Sequence, residues 1–122
     1  MKQKILVAMA IVALAAPSLF ALKPGTEHFV PGAVRGQGRA GAFWVTDLTA
    51  FNPNGEEISV DIYWLPRGKD NAGQMPINVK IPAYTSVTVP DVIKNVLGQD
   101  SAAGGFRIVA DGLVGGSVYV YD

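Results

Sequence analysis

From Phe43 onward the chain alternates. Trp44, Thr46, Leu48 and Ala50 fall on one side of an extended segment, and Phe43, Val45, Asp47, Thr49 and Phe51 fall on the other. Asn52-Pro53-Asn54-Gly55 follows, a dense cluster of turn formers. The alternation then resumes more cleanly, with Ile58, Val60, Ile62 and Trp64 set against Ser59, Asp61, Tyr63 and Leu65. Period two on both sides of such a turn predicts an antiparallel hairpin with one buried face. Further strands are expected where Ile77, Val79 and Ile81 alternate with Asn78 and Lys80, over 85–89, where Phe106, Ile108 and Ala110 alternate with Arg107 and Val109, and over 118–121. Asp111-Gly112 is a tight-hairpin signal between the last two. Upstream, His28-Phe29-Val30 marks an early strand near 27–31. Asp91 is placed to cap a helical turn or two over 92–97, with Gly98 as the terminator.

This pattern predicts an all-β chain, an antiparallel sandwich of about seven strands with one short helical turn, since turns recur roughly every ten residues. The expected core is Trp44, Leu48, Ile58, Val60, Ile62, Trp64, Ile77, Val79, Ile81, Val87, Phe106 and Ile108.

The N-terminus changes the picture of where the chain works. Lys2 and Lys4 precede an apolar run of about a dozen residues from Ile5 to Ala16, broken by Pro17 and Ser18. The run is short for a membrane span, and it reads as a signal peptide over residues 1–21. Residues 22–41 are then a Gly/Pro-rich arm and residues 42–122 the sandwich, to which the arm can contribute a strand. The expected location is secreted, periplasmic or cell-surface, with no membrane span after cleavage. Loss of Lys2 and Lys4 leaves 8 basic against 10 acidic residues, a balance that offers nothing to nucleic acid. With no cysteine in its 122 residues, the chain has neither disulfides nor thiol chemistry.

One motif points elsewhere. Gly36-Gln37-Gly38-Arg39-Ala40-Gly41 matches G-x-G-x-x-G, the glycine fingerprint of dinucleotide-binding folds. That reading requires a helix straight after the glycines, so that its N-terminus meets the pyrophosphate. A β-patterned segment follows instead, so the glycines are read as part of the arm. His28 is the sole histidine, and the acidic residues Glu56, Glu57, Asp61, Asp91, Asp100 and Asp111 are scattered over turns and strand faces. No catalytic residues, cofactor or metal ligands are expected, and the chain is read as no enzyme. A carboxylate-based hydrolase is the weakest of the alternatives.

The order of motifs is similar to that of a known class of module. "VPGAVRGQG", then W-x-T-D-L from Trp44, "NPNGEE", "LPRGKDN", "IPA", "TVPDV" and "GGFRI" together resemble an exported bacterial immunoglobulin-like β-sandwich module of unassigned biochemical role. The resemblance implies an immunoglobulin-like sandwich and carries no catalytic residues. The function expected is a non-catalytic structural or adhesion module at the cell surface. It can self-assemble into a fibre if the arm, through Phe29 and Val30, adds as a strand to a neighbour's last strand, through Val118 and Val120. Its partners are then other copies or other cell-surface proteins. The alternative is a binding module for a glycan or another surface ligand, using Tyr63, Tyr84, Arg67 and Lys69.

Overall fold

The structure, a computed structural model, describes residues 24–122, so the signal segment lies outside the described residues. Six strands alternate with little else: β1 (Gly25–Gln37), β2 (Phe43–Phe51), β3 (Ile58–Pro66), β4 (Ile77–Ile81), β5 (Ser86–Val89) and β6 (Ala102–Tyr121). The only α-helix among the described residues, α1 (Val92–Asn95), follows β5. The strands form one antiparallel sheet in the order β4-β3-β6-β1-β2-β5, with an added β6–β2 pairing that curls it into a nearly closed barrel.

The chain is therefore all-β, with six strands where seven were expected. Both predicted hairpins turn out to be corners. β2 and β3 do not pair with each other; they lie one after the other along β6. Residues 45–51 pair with 121–115, and residues 60–66 with 110–104. The 20-residue β6 runs straight through Asp111-Gly112 and changes partners there. Side chains take over from the broken ladder at this corner. Asp111 accepts the Ser59 N–H at 2.8 Å, and Asn54 Nδ2 donates to the Leu113 carbonyl at 2.7 Å. Asn and Asp suit a corner for the same reason they suit a turn, because their short polar groups satisfy nearby backbone.

The arm contributes a strand, and a longer one than the expected 27–31. Residues 25–37 form the longest strand after β6 and sit inside the sheet, pairing with β6 from Gly25–Val114 to Arg35–Ala102. Gly105 makes the close approach possible, since a Cβ there would stand 2.5 Å from the Val30 carbonyl oxygen. The glycine fingerprint is the hairpin from β1 to β2, pairing Gly36 with Trp44 and Gln37 with Phe43. Gly41 takes φ +79° in that turn, a conformation open to glycine. An antiparallel strand follows the glycines where a dinucleotide site needs a helix.

The predicted facing holds. Leu48, Ile58, Val60, Trp64, Ile81, Phe106 and Ile108 are buried, joined by Ala33, Val114 and, from the helix, Val92 and Ile93. Trp64 and Phe106 meet with ring centroids 5.0 Å apart. Trp44 departs from the expected core at 38% exposed, its indole lying over Gly38 at the β1–β2 hairpin. Asp91 does not cap α1 with its side chain, and takes φ +43° instead. Gly98 does close the helix, its N–H bonding the Lys94 carbonyl at 3.1 Å.

Candidate functional site

Strand alternation puts Phe43, Val45, Asp47, Thr49 and Phe51 on the outside of β2. The register sets Tyr121 opposite Val45, Tyr119 opposite Asp47 and Ser117 opposite Thr49. The outcome is an aromatic face: Tyr119 is 67% exposed, Phe51 42% and Phe43 38%. The Tyr119 and Tyr121 rings stack at 5.3 Å with 22° between their planes.

Beside these rings a charged network fixes the end of the sheet. Arg35 Nε reaches both Asp91 carboxylate oxygens at 3.1 Å, and Nη1 reaches the Asp100 carbonyl at 2.5 Å. The same guanidinium lies 4.9 Å over the Phe43 ring. Asp47 Oδ1 accepts the Asp91 N–H at 2.8 Å and the Tyr121 hydroxyl at 3.2 Å. Burial, followed by the hydrogen bond and charge of Asp47, raises the Tyr121 hydroxyl above its usual pKa. The left-handed backbone of Asp91 is a strained conformation for a non-glycine residue, and these contacts hold it in place.

The network can orient and rigidify. Each of its ionisable groups already has an internal partner. A second pair, Arg107–Glu27 at 2.8 Å, lies on the outside of β6 and β1, with the Arg107 guanidinium 5.3 Å from the Tyr63 ring. Among the described residues no three His, Cys, Asp or Glu side chains converge as metal ligands.

A small cleft opens between the end strands β4 and β5, lined by Leu48, Val60, Ile62, Val79, Val87 and Val89 among others. Its volume of about 20 Å³ admits little more than a water molecule, and its walls are apolar.

The residues assigned from sequence to a ligand site are not brought together. Tyr63 lies on the outer face of β3 against Arg107. Arg67 and Lys69 are exposed in the loop that joins β3 to β4. Tyr84 sits at the other end of that strand pair, in the turn from β4 to β5, with its N–H bonded to the Asn54 carbonyl at 3.2 Å. Phe29 and Val30 face Arg107 and Phe106 of their own sheet, and Val118 and Val120 face Leu48 and Thr46. The sequence reading missed Arg35, Asp47 and Asp91. The only available signal was that Asp47 is the one charged residue of β2, at an outward position beside Phe43, Val45, Thr49 and Phe51.

Fold and site together define a small barrel-like all-β domain with one uncovered aromatic face. No family model matches the sequence, and no curated protein matches it. Among solved structures the chain is similar to the Anabaena sensory rhodopsin transducer, at 12% identity and TM-score 0.61, over 77% of this chain and 86% of that one. It is also similar to Thermotoga maritima 1070, at 11% identity and TM-score 0.59, over 81% and 92% of the two chains. The likeness is one of fold.

Proposed function

We propose that the chain is an exported, non-catalytic structural or adhesion module of the immunoglobulin-like kind, which engages its partner through the outer face of β2 and the end of β6. The observation that carries this reading is the exposure of Phe43, Phe51 and Tyr119 on one sheet face, since apolar patches of this sort mark interaction surfaces. The Arg35–Asp91–Asp47–Tyr121 network supports it by fixing the face in one geometry. Kinship with immunoglobulin-like modules draws support from the two unequal halves of the sheet, β4-β3-β6-β1 and β5-β2-β6, which share β6. Cell fractionation with intact-mass measurement tests the export half. The mature chain is expected outside the cytoplasm without its first ~21 residues, and a full-length cytoplasmic chain refutes export. Retention of purified domain on cell envelopes tests the other half, with Tyr119→Ala and Phe43→Ala expected to release it.

The stacked tyrosines beside a carboxylate favour a second reading, a glycan-binding module, because sugars pack on ring faces and hydrogen-bond to carboxylates. Glycan-array binding lost on Tyr119→Ala selects this reading. An array without a hit removes it.

A further inference from the structure

The exposed edges of this sheet are guarded, with one exception. β4 carries Lys80 and lies between Pro76 and Pro82, and β5 has four residues before Pro90. β1 contains Glu27 and Pro31 and has two register breaks against β6. Charges, prolines, bulges and short length are the features that keep an edge from pairing with another molecule. Residues 115–121 of β6 have none of them. They run Gly-Gly-Ser-Val-Tyr-Val-Tyr, with no charge or proline before Asp122. Among the described residues they pair on one side only, with β2. Every second residue therefore turns its N–H and C=O away from the sheet. Val120, an inward position on β6, stays 37% exposed beside this open edge.

We infer that residues 115–121 pair antiparallel with the same residues of a second copy across a twofold axis, making a closed dimer. The proposal rests on the interaction-module reading and names the partner. Self-pairing across a twofold sets each residue near its own twin's neighbours, so only an uncharged stretch can do it without repulsion. Of the free edges among the described residues, this one alone is seven residues long and uncharged. Antiparallel pairing also matches the outward donors of one copy to the outward acceptors of the other without further adjustment. A fibre built by donation of the arm has no spare strand, because β1 is committed to its own β6. A twofold contact uses the edge up in both copies and stops at two.

With Val118 on the axis, Ser117 faces the partner's Tyr119. Both positions are exposed, so Ser117→Lys/Tyr119→Lys changes neither the core nor the β2 ladder, and it sets lysine against lysine in the dimer. Sedimentation velocity of the mature protein is expected to show a concentration-dependent dimer and no larger species. The double-lysine variant is expected to self-associate about a hundredfold more weakly, with an unchanged circular dichroism spectrum. The Ser117→Glu/Tyr119→Glu variant is expected to behave alike, and an equimolar mixture of the two to recover the dimer. A wild type that stays monomeric at its solubility limit, growth into filaments, charge variants that still dimerise, or a mixture that stays monomeric overturns the proposal. A monomer that is exported and retained on envelopes defeats this inference alone. A dimer that is never exported defeats the module reading alone.

Discussion

Replacing Asn52 tests the account of the corner more sharply than any core truncation. Asn52 is wholly buried, yet every polar atom of its amide is engaged. Nδ2 donates to the carbonyls of Glu56 at 2.8 Å, Ile81 at 3.0 Å and Pro82 at 3.1 Å. Oδ1 accepts from Asn54 N and Nδ2, each at 2.8 Å. One side chain thus ties the β2–β3 corner to the turn that links β4 to β5. Asn52→Ala leaves three carbonyls without this donor. The amide has two protons for these three carbonyls, so one is shared, and at about 1 kcal/mol net per hydrogen bond the loss is about 2 kcal/mol, with Asn54 turning to water. For a domain of this size that is a fall of about 10 °C in Tm. Asn52→Asp is nearly isosteric but points a carboxylate at three carbonyl oxygens, which raises the expected cost to about 4 kcal/mol at neutral pH. Burial, with three carbonyl oxygens facing the second carboxylate oxygen, outweighs the two Asn54 donors and raises the new carboxyl's pKa in the folded state. The stability of this variant is therefore greatest below the unfolded value near 3.9 and is lost as pH rises through the folded value. Urea melts followed by circular dichroism between pH 4 and 7 read both effects. An alanine variant within about 1 kcal/mol of wild type, or an aspartate variant no worse than alanine at neutral pH, refutes the reasoning.

Val60→Asp is expected to abolish cooperative folding, since Val60 is 1% exposed and a carboxylate there has no partner. Tyr63→Asp, on the outer face beside Arg107, is expected to keep the fold at a cost of about 1 kcal/mol, and equal damage from the two changes would invert the facing. Gly105→Ala is expected to cost about 2–3 kcal/mol and to speed amide exchange in β1, because its Cβ would press on the Val30 carbonyl. The Tyr121 hydroxyl, raised in the folded state, keeps its full contribution below the unfolded value and loses it as pH rises through the folded one. Tyr121→Phe is therefore expected to fall off less steeply than wild type in alkaline melts, and parallel curves would refute the Asp47 contact.

The all-β class and the facing of β2, β3 and β6 were legible because alternation is a local signal. Val60, Trp64, Phe106 and Ile108 lie inward, as period two requires. What alternation does not carry is the partner of each strand. Asn52-Pro53-Asn54-Gly55 and Asp111-Gly112 are rich in turn formers, and a hairpin and a corner draw on the same residues. At a hairpin the chain pairs with itself. At this corner β6 lies beside both β2 and β3, and the Asn and Asp side chains bridge the gap between them. Gly and Pro similarly hid the full length of β1, of which only 27–31 was expected as strand. Its register breaks at Gly25–Glu27 and Val30–Ala33 interrupt the alternation that would have revealed the strand.

The candidate site was less legible, for a related reason. Arg35, Asp47 and Asp91 lie on β1, on β2 and just before α1, and although each falls in a quoted stretch, "VPGAVRGQG", W-x-T-D-L or "TVPDV", nothing in those stretches says that the three meet. Their convergence depends on the β1–β2 hairpin meeting the start of α1, which the barrel closure dictates and local pattern does not. The reading of Tyr63, Tyr84, Arg67 and Lys69 as one site assumed that outward residues on neighbouring segments would meet, and the β3–β4 pair separates them to its two ends. The terminal strand reverses the lesson. Residues 118–121 carry no charge and no proline, which the sequence alone shows, and among the described residues the register leaves one of their sides open. A free β edge is a property of composition as much as of topology, since guarding residues must be written into the strand itself. For that reason a β edge was the one feature of the proposed interaction surface that the sequence could disclose before the fold was known.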